Sequence, residues 1–307
     1  MLIDAHQHFW RLADRAGQWP PPSLAEIHRD FLPEDLAPLL ASSAVAGTVL
    51  VQSLPTRADT DFLLALAERH PFVLGVVGWV DLAADDAPAQ IAELARNPRL
   101  KGLRPMLQDL PDDAWIDDPA LDPAIEAMVE HGLTFDALVM PRHLPALGRF
   151  AARHPRLPVL IDHAAKPLIA RGLIEPWLSH LNALAGLRHV HCKLSGLPTE
   201  AGPRALVEGG PAAEGEVTEV PSDDRYVPYV DAVLTLFGPR RVLWGSDWPV
   251  LNLAGSYGAW LGTCQRLCRR LSLGPDAIRG VFGENARAFY RLSAPHPLPP
   301  PDPPPER

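Results

Sequence analysis

Two histidines near the N-terminus, His6 and His8, are separated by one residue within a mainly apolar segment. In a β-strand, residues two apart point to the same face, so the two imidazoles would project side by side. Such a pair can ligate one metal ion or donate hydrogen bonds to one substrate oxygen. The spacing alone is weak evidence, because His189 and His191 repeat it in a chain with 12 histidines.

Apolar segments typical of strands alternate with helical patterns along most of the chain. Eight such units predict an α/β protein in which the strands close as a (β/α)8 TIM barrel, with extra helices after the last strand. An open doubly wound sheet is the alternative, but no glycine-rich turn follows the first strand. The predicted strands lie within residues 1–10, 48–52, 73–80, 100–106, 133–139, 157–162, 189–195 and 241–246.

In such barrels the reactive groups lie where strands end and the following loops begin. His6 and His8 end the first strand, His163 ends the sixth, and Asp247 ends the eighth. The second histidine pair begins the seventh strand and should lie at the opposite end. We therefore expect three imidazoles and one carboxylate to face a common cavity at the barrel mouth.

Two segments fall outside the regular alternation. Residues 201–226 follow the seventh strand and are rich in Gly, Pro, Ala and acidic residues, which predicts a mobile insertion or a plain surface loop. Residues 293–307 are rich in proline and are predicted to form a disordered tail. Residues 1–292 would then form one barrel domain.

Composition limits the classes of partner. The net charge is −9 without a basic stripe, so nucleic acid is not expected. No apolar run approaches the ~20 residues of a membrane span, and the N-terminus has no secretion-signal pattern, so we expect a cytoplasmic protein without membrane contact. The three cysteines, Cys192, Cys264 and Cys268, are expected to be reduced thiols.

Several motifs together resemble one family, the lactonase branch of the amidohydrolase superfamily. This branch includes hydrolases of L-fuconolactone, L-rhamnonolactone, sulfomuconolactone and pyrone-dicarboxylate lactone. The resemblance implies a barrel hydrolase centred on the three imidazoles and the carboxylate described above. Its motifs are Asp4-Ala-His-Gln-His-Phe-Trp, Arg29-Asp-Phe-Leu-Pro-Glu-Asp, Lys101-Gly-Leu-Arg-Pro-Met, Phe135-Asp-Ala-Leu-Val, Val159-Leu-Ile-Asp-His-Ala-Ala-Lys-Pro, Cys192-Lys-Leu-Ser-Gly, Trp244-Gly-Ser-Asp-Trp-Pro and Gly283-Glu-Asn-Ala.

The metal site implied by this resemblance has fewer protein ligands than the sites of metal-rich relatives. Metal-rich relatives use a carbamylated lysine on strand four or a histidine on strand five, whereas this chain has Lys101 at the start of strand four and Asp136 on strand five. We therefore expect one divalent ion, zinc, rather than a two-metal site, and a weakly bound or dispensable ion is also consistent with this branch. Its expected ligands are His6, His8, Asp247 and His163.

Lactone hydrolysis requires a base that activates water and positive charge that faces the developing oxyanion. Asp247 is the predicted base, and His6, His8 and His163, or their metal ion, would polarise the carbonyl oxygen. Charged, amide and aromatic side chains near other strand ends are predicted to contact substrate. These substrate-binding candidates are Arg104, Lys166, Trp79, Trp248 and Gln52.

Several functions remain open at this point. The favoured prediction is hydrolysis of a small sugar-acid (aldono) lactone such as L-fucono- or L-rhamnonolactone. The alternatives are hydrolysis of an anionic muconolactone or pyrone-dicarboxylate lactone, a related barrel decarboxylase, and a non-catalytic barrel that binds a sugar acid. A decarboxylase would need a fuller metal site, and a binding protein would need no base at Asp247. Assembly into a homo-oligomer is also left open.

Overall fold

A computed structural model describes residues 1–202 and 223–293. Eight parallel strands form one sheet in the order of the chain, and each strand pairs with the next. The first strand and the segment after the eighth strand are joined by two backbone hydrogen bonds. The N–H of Asp247 donates to the carbonyl oxygen of His6, and the N–H of His8 donates to that of Trp248, each at 2.8 Å. The strands are β1 (Leu2–Gln7), β2 (Val45–Val51), β3 (Val73–Gly78), β4 (Leu100–Leu103), β5 (Thr134–Ala137), β6 (Val159–Ile161), β7 (Val190–Leu194) and β8 (Val242–Trp244).

Helices connect the strands and surround the barrel, as the alternation predicts. The prediction of a (β/α)8 barrel with additional C-terminal helices is confirmed. The helices are α1 (Pro33–Ser42), α2 (Arg57–Arg69), α3 (Ala87–Leu94), α4 (Asp122–Glu130), α5 (Leu144–Arg153), α6 (Trp177–Ala185), α7 (Leu197–Glu200), α8 (Val227–Phe237), α9 (Tyr257–Arg270), α10 (Pro275–Arg279) and α11 (Asn285–Phe289). None of the helices in the described ranges is both long and apolar enough to cross a membrane.

The strands are buried on both faces, as is usual in parallel sheets covered by helices. The outer faces pack against the helices in one large apolar core. Inside the barrel, a smaller apolar cluster that includes Ile3, Val49, Leu160 and Leu243 also contains Tyr290, just beyond α11. Apolar side chains therefore fill the interior of the barrel below its mouth.

Strand ends differ from the sequence prediction where the chain turns toward the mouth. The fourth strand ends at Leu103 rather than at residue 106, and the sixth ends at Ile161. Immediately afterwards, His163 to Lys166 all have positive φ, between 49° and 59°. This left-handed turn ends the strand pattern and directs His163 across the barrel. The predicted insertion at 201–226 lies largely outside the described residues, and the predicted tail lies almost entirely outside them.

Candidate active site

Three imidazoles and one carboxylate meet at the mouth of the barrel. The Nε2 atoms of His6 and His8 are 3.2 Å apart. The Oδ1 atom of Asp247 lies 3.3 Å from His8 Nε2, 3.6 Å from His6 Nε2 and 3.9 Å from His163 Nε2. All four residues are at least 95% buried. The structure thus brings together the groups predicted from the ends of strands one, six and eight.

A buried aspartate, Asp4, ties β1 to the segment after β8. Its Oδ1 atom accepts hydrogen bonds from the backbone N–H groups of His6 (3.1 Å) and Ser246 (2.8 Å). Its Oδ2 atom accepts a hydrogen bond from the Tyr257 hydroxyl at 3.0 Å. Burial raises the pKa of Asp4 to about 6, although these hydrogen bonds oppose the change. Asp4 therefore sets the relative position of His6 and the Asp247 turn.

Hydrogen bonds on the far side of each imidazole orient the rings. His8 Nδ1 lies 2.7 Å from the carbonyl oxygen of Val51, which can only accept, so Nδ1 carries the proton and Nε2 presents a lone pair. His163 Nδ1 lies 2.9 Å from the Ser195 hydroxyl at the end of β7. These contacts leave the Nε2 atoms of both rings directed toward Asp247.

Below His6, Lys193 forms a buried ion-pair network inside the barrel. Its Nζ atom lies 2.8 Å from Asp162, 3.0 Å from Asp136 and 3.1 Å from His6 Nδ1. The hydroxyl of Tyr290 contacts both Lys193 and Asp136. Burial disfavours the Asp162 carboxylate, yet the charge of Lys193 holds its pKa well below the usual range. The lysine thus neutralises the acids under the site.

The electrostatics keep Asp247 ionised and His6 and His163 neutral. Burial opposes ionisation of Asp247, but the neighbouring imidazoles, His163 above all, hold its pKa far below the usual value. Burial lowers the pKa of His163 to about 4. Burial, reinforced by Lys193, also lowers the pKa of His6 well below its usual value. Near neutral pH the site therefore has an ionised Asp247 beside two neutral rings, His6 and His163, which suits both a base and a set of ligands.

The donor atoms fit a divalent ion. Ligands of tetrahedral zinc at 2.0–2.1 Å lie about 3.3 Å from one another. The separations of 3.2, 3.3 and 3.6 Å among His6, His8 and Asp247 are close to this value. His6 Nδ1 lies between Lys193 Nζ at 3.1 Å and Asp162 Oδ1 at 3.5 Å, so either a lone pair or a proton at Nε2 can be supported. The ring can therefore act as a ligand or as a hydrogen-bond donor.

A cavity of about 430 Å³ opens above these groups. One part of its wall is apolar and comes from the loop after β1 and from later loops. The other part is polar. The apolar part includes Trp19, Leu24, Leu54, Val250 and Leu253, and the polar part includes Gln18, Gln108, Lys166, Thr199 and Glu200. This volume and mixed lining are typical of a small-molecule site.

Of the predicted substrate-binding residues, Arg104 and Lys166 line the cavity. Gln52, Trp79 and Trp248 are not among the described residues of the wall. The Gln52 amide instead donates to the carbonyl of Arg104 at 2.7 Å. Trp248 packs against aromatic rings of the long loop region and is 2% exposed. A hydrogen bond therefore holds the Gln52 side chain, and aromatic packing holds that of Trp248, away from the cavity.

Trp19 and Glu200 are among the wall residues that the sequence prediction did not include. Trp19 lies on the loop after β1, which folds back because Trp10 and Phe31 exchange backbone hydrogen bonds. Arg15 holds this loop by donating to the Trp19 carbonyl at 2.8 Å. Glu200 lies at the end of α7. The available signals were an aromatic residue in a proline-rich loop and an acid just after strand seven, and neither pattern specifies which way its side chain points.

Comparisons with known proteins agree with this architecture. The amidohydrolase family profile matches residues 3–292. An L-fucono-1,5-lactonase of Burkholderia ambifaria is 58% identical over 296 residues, covering 95% of this chain and 96% of that protein. An L-fucono-1,5-lactonase of Burkholderia multivorans is 36% identical over 303 residues and covers 96% of this chain and 97% of its own length.

A solved amidohydrolase structure from Burkholderia multivorans, described with bound zinc, superposes with a TM-score of 0.84 at 35% identity. The alignment covers 95% of this chain and all of that chain. The family profile spans almost the whole described barrel, and the relatives align over nearly their full lengths. The chain therefore belongs to the amidohydrolase family.

Proposed function

We propose that the protein hydrolyses a sugar-acid lactone and that L-fucono-1,5-lactone is its substrate. The observation that carries this proposal is the ionised, buried Asp247 packed against three imidazoles at the floor of a cavity. The two L-fucono-1,5-lactonase relatives, which align over nearly their full lengths, supply the substrate class. The predicted reaction class, hydrolysis of a sugar-acid lactone, is confirmed by these relatives.

In the proposed reaction, water attacks the lactone carbonyl carbon while Asp247 Oδ2 or Oδ1 accepts a proton from it. The ester carbon–oxygen bond then breaks, and the ring oxygen leaves as an alcohol after receiving that proton. The single product is a hydroxy acid, and water is the only co-reactant consumed. Asp247 returns to its ionised form, which its imidazole neighbours stabilise.

The developing oxyanion needs positive charge or hydrogen-bond donors. His6 can donate from Nε2 when its Nδ1 atom accepts from Lys193. Arg104 Nη1, which is 3.4 Å from His6 Nε2 and 3.2 Å from Asp162, adds positive charge beneath the same point. These residues would support the carbonyl oxygen from the side opposite the cavity opening.

We further propose that His6, His8 and Asp247, with His163 nearby, hold one zinc ion. The donor separations and the neutral state of His6 and His163 support this assignment, as does a zinc-containing relative. When bound, the ion would supply Lewis-acid charge for the carbonyl. Lys193 and the Val51 carbonyl orient His6 and His8 whether or not the ion is present.

The alternatives are less well supported. A decarboxylase with a fuller metal site would need a ligand on strand five, where Asp136 instead pairs with Lys193. A protein that only binds sugar acids would not require a carboxylate held ionised at the cavity floor. An anionic lactone remains the second candidate, because pyrone-dicarboxylate hydrolases share the fold.

A pH-indicator assay over a substrate panel tests the proposal. The panel contains L-fucono-1,5-lactone, other aldonolactones, a muconolactone and 2-pyrone-4,6-dicarboxylate, each corrected for spontaneous opening. We expect the highest kcat/KM with the sugar lactone. Faster turnover of an anionic lactone would reject the substrate assignment, and no turnover of any lactone would reject the reaction class.

The cytoplasmic location and the oligomeric state remain proposals. Light scattering on the purified protein distinguishes a monomer of 33.5 kDa from a homo-oligomer. Fractionation of the producing cells tests the compartment.

A further inference from the structure

The cavity contains two oppositely charged side chains that the hydrolytic step does not use, Lys166 and Glu200. Lys166 follows the left-handed turn after β6, and Glu200 ends the one-turn helix α7 after β7. Because β6 and β7 are neighbours in the barrel, the loops that follow them lie on the same sector of the mouth. The two side chains therefore form a polar patch beside the scissile site.

Lys166 has hydrogen-bonding capacity to spare. Its Nζ atom donates to Gln108 Oε1 at 2.5 Å, and an ammonium group has three N–H donors. The other cavity cation, Arg104, is already paired: its guanidinium lies 3.2 Å from Asp162 and also donates to the Gln52 carbonyl. Within the described wall, Lys166 is thus the cation best placed to contact a ligand.

Glu200 is a largely buried acceptor. Burial raises its pKa, and the charge of Asp247 adds to this effect while Lys166 opposes it. Among residues 1–202 and 223–293, no side chain is recorded as donating a hydrogen bond to its carboxylate. A carboxylate accepts hydrogen bonds and cannot donate them when ionised. Its natural ligand partner is therefore a hydroxyl group.

The charge balance of the cavity disfavours an anionic ligand. Among the described wall residues, Asp109, Glu200 and Asp247 are acids, whereas Lys166 is the single cation not held by a buried acid. A ligand carboxylate would be repelled by these acids, but ligand hydroxyls could donate to Glu200 and accept from Lys166. The wall therefore suits a neutral, hydroxylated ring.

From this arrangement, and resting on the proposed lactonase function, we infer that Glu200 and Lys166 determine substrate class. Glu200 accepts hydrogen bonds from ring hydroxyls, Lys166 donates to them, and the Glu200 charge excludes lactones that carry a carboxylate. The pair thereby selects neutral polyhydroxylated lactones over dicarboxylate lactones at the same catalytic centre.

The test compares wild type with Glu200→Gln, which removes the charge and keeps the size. With L-fucono-1,5-lactone, kcat/KM should fall about 10- to 100-fold, mainly through KM, since a charge-assisted hydrogen bond is lost. The inhibition constant of 2-pyrone-4,6-dicarboxylate should fall at least ~10-fold, because the repulsion is gone. Lys166→Met should raise KM for the sugar lactone and should raise the inhibition constant of the dicarboxylate above its wild-type value.

Glu130→Gln, at an exposed position on α4, is the matched control and should leave both constants unchanged. Melting temperatures establish that each variant is folded. An unchanged dicarboxylate inhibition constant in Glu200→Gln, or a loss confined to kcat, would overturn the inference. The second result would instead make Glu200 a proton-transfer group.

A second test measures dissociation constants by calorimetry with the wild-type protein, so it requires neither a variant nor turnover. The dimethyl ester of 2-pyrone-4,6-dicarboxylate should bind at least ~10-fold more tightly than the free diacid. Equal affinities would reject the charge selection, even if the protein hydrolyses sugar lactones. If instead no neutral lactone is hydrolysed but the ester is preferred, the proposed function fails and the charge selection stands.

Discussion

Gly196 lies directly against the imidazole of His163, and a Cβ atom at Gly196 would be 2.6 Å from His163 Nδ1. The glycine also has φ +65°, a conformation that side chains rarely adopt. Its neighbour Ser195 supplies the hydroxyl that lies 2.9 Å from the same nitrogen. The turn after β7 thus determines both the position and the hydrogen bonding of an imidazole on the loop after β6.

We predict that Gly196→Ala moves His163 away from Asp247 and lowers kcat at least ~10-fold, since small displacements in an active site are costly. Steady-state kinetics and the melting temperature provide the measurement. Gly148→Ala on α5 is the control, because a Cβ there meets nothing within 4 Å. Wild-type kcat in folded Gly196→Ala would contradict the role assigned to this contact.

Replacing the proposed base should abolish turnover without unfolding the protein. Asp247→Asn preserves shape but cannot accept the proton from water, so we expect kcat to fall about 10²- to 10⁴-fold. Circular dichroism should be unchanged, because the backbone N–H of residue 247 still donates to the His6 carbonyl oxygen. Turnover close to wild type would remove Asp247 from the mechanism.

The buried ammonium under the site should be essential for stability. Lys193→Met removes the cation that pairs with Asp136 and leaves Asp162 paired with Arg104 alone, and breaking a buried pair in this way costs about 3–5 kcal/mol. Denaturant unfolding measures the loss. Lys101→Met, at a half-buried position on β4, serves as the control and should cost less. Equal effects of the two variants would show that the network adds nothing specific.

A histidine at the opposite end of the barrel should make stability sensitive to acid. Burial lowers the pKa of His191 to about 4 from its ordinary 6.5, so the unfolded chain takes up a proton first as the pH falls. Stability is therefore unaffected by this group above pH 6.5 and decreases between pH 6.5 and 4. The loss is at most about 3 kcal/mol, at about 1.4 kcal/mol per pH unit.

His191→Phe removes this titration and keeps an aromatic ring beside Phe289, whose centroid lies 4.7 Å away. Urea unfolding at several pH values should show a smaller acid-side loss for the variant than for wild type. Parallel curves for the two proteins would contradict the assignment to His191.

Metal content should depend on the orientation of two imidazoles. His8→Ala removes a lone pair fixed by the Val51 carbonyl, so the zinc-to-protein ratio measured by mass spectrometry should drop after equilibration with zinc.

In metal-free protein, we expect His6 to carry its proton on Nε2, because Lys193 faces Nδ1. Nitrogen-15 NMR distinguishes the two ring nitrogens, and a proton on Nδ1 would contradict this expectation.

The fold and the grouping of three imidazoles and one carboxylate at the barrel mouth could be predicted because both depend on local patterns. Continuous apolar strands alternating with helices specify a parallel barrel, and the reactive ends of its strands follow from that topology. His6, His8, His163 and Asp247 each sit at such an end, so barrel closure brings them together. Their chemical roles remain predictions until the variants above are measured.

The positions of the proposed substrate-binding side chains were harder to predict, since they depend on how loops fold. Trp79 and Trp248 follow strands yet lie outside the cavity wall, while Trp19 reaches it from a long loop held by Arg15. The periodicity of apolar residues in the sequence does not specify where a side chain on an irregular loop points. Proximity to a strand end was therefore an insufficient criterion.

The amino-acid sequence by itself determined the barrel, the family and the four groups at its mouth, because strand alternation and chain order are local properties. Only the tertiary structure decided that Lys193 neutralises two buried acids and that Glu200 faces the cavity beside Lys166. These relationships join side chains from different strands and loops. Their energies depend on burial and distance, which arise only when the whole barrel closes.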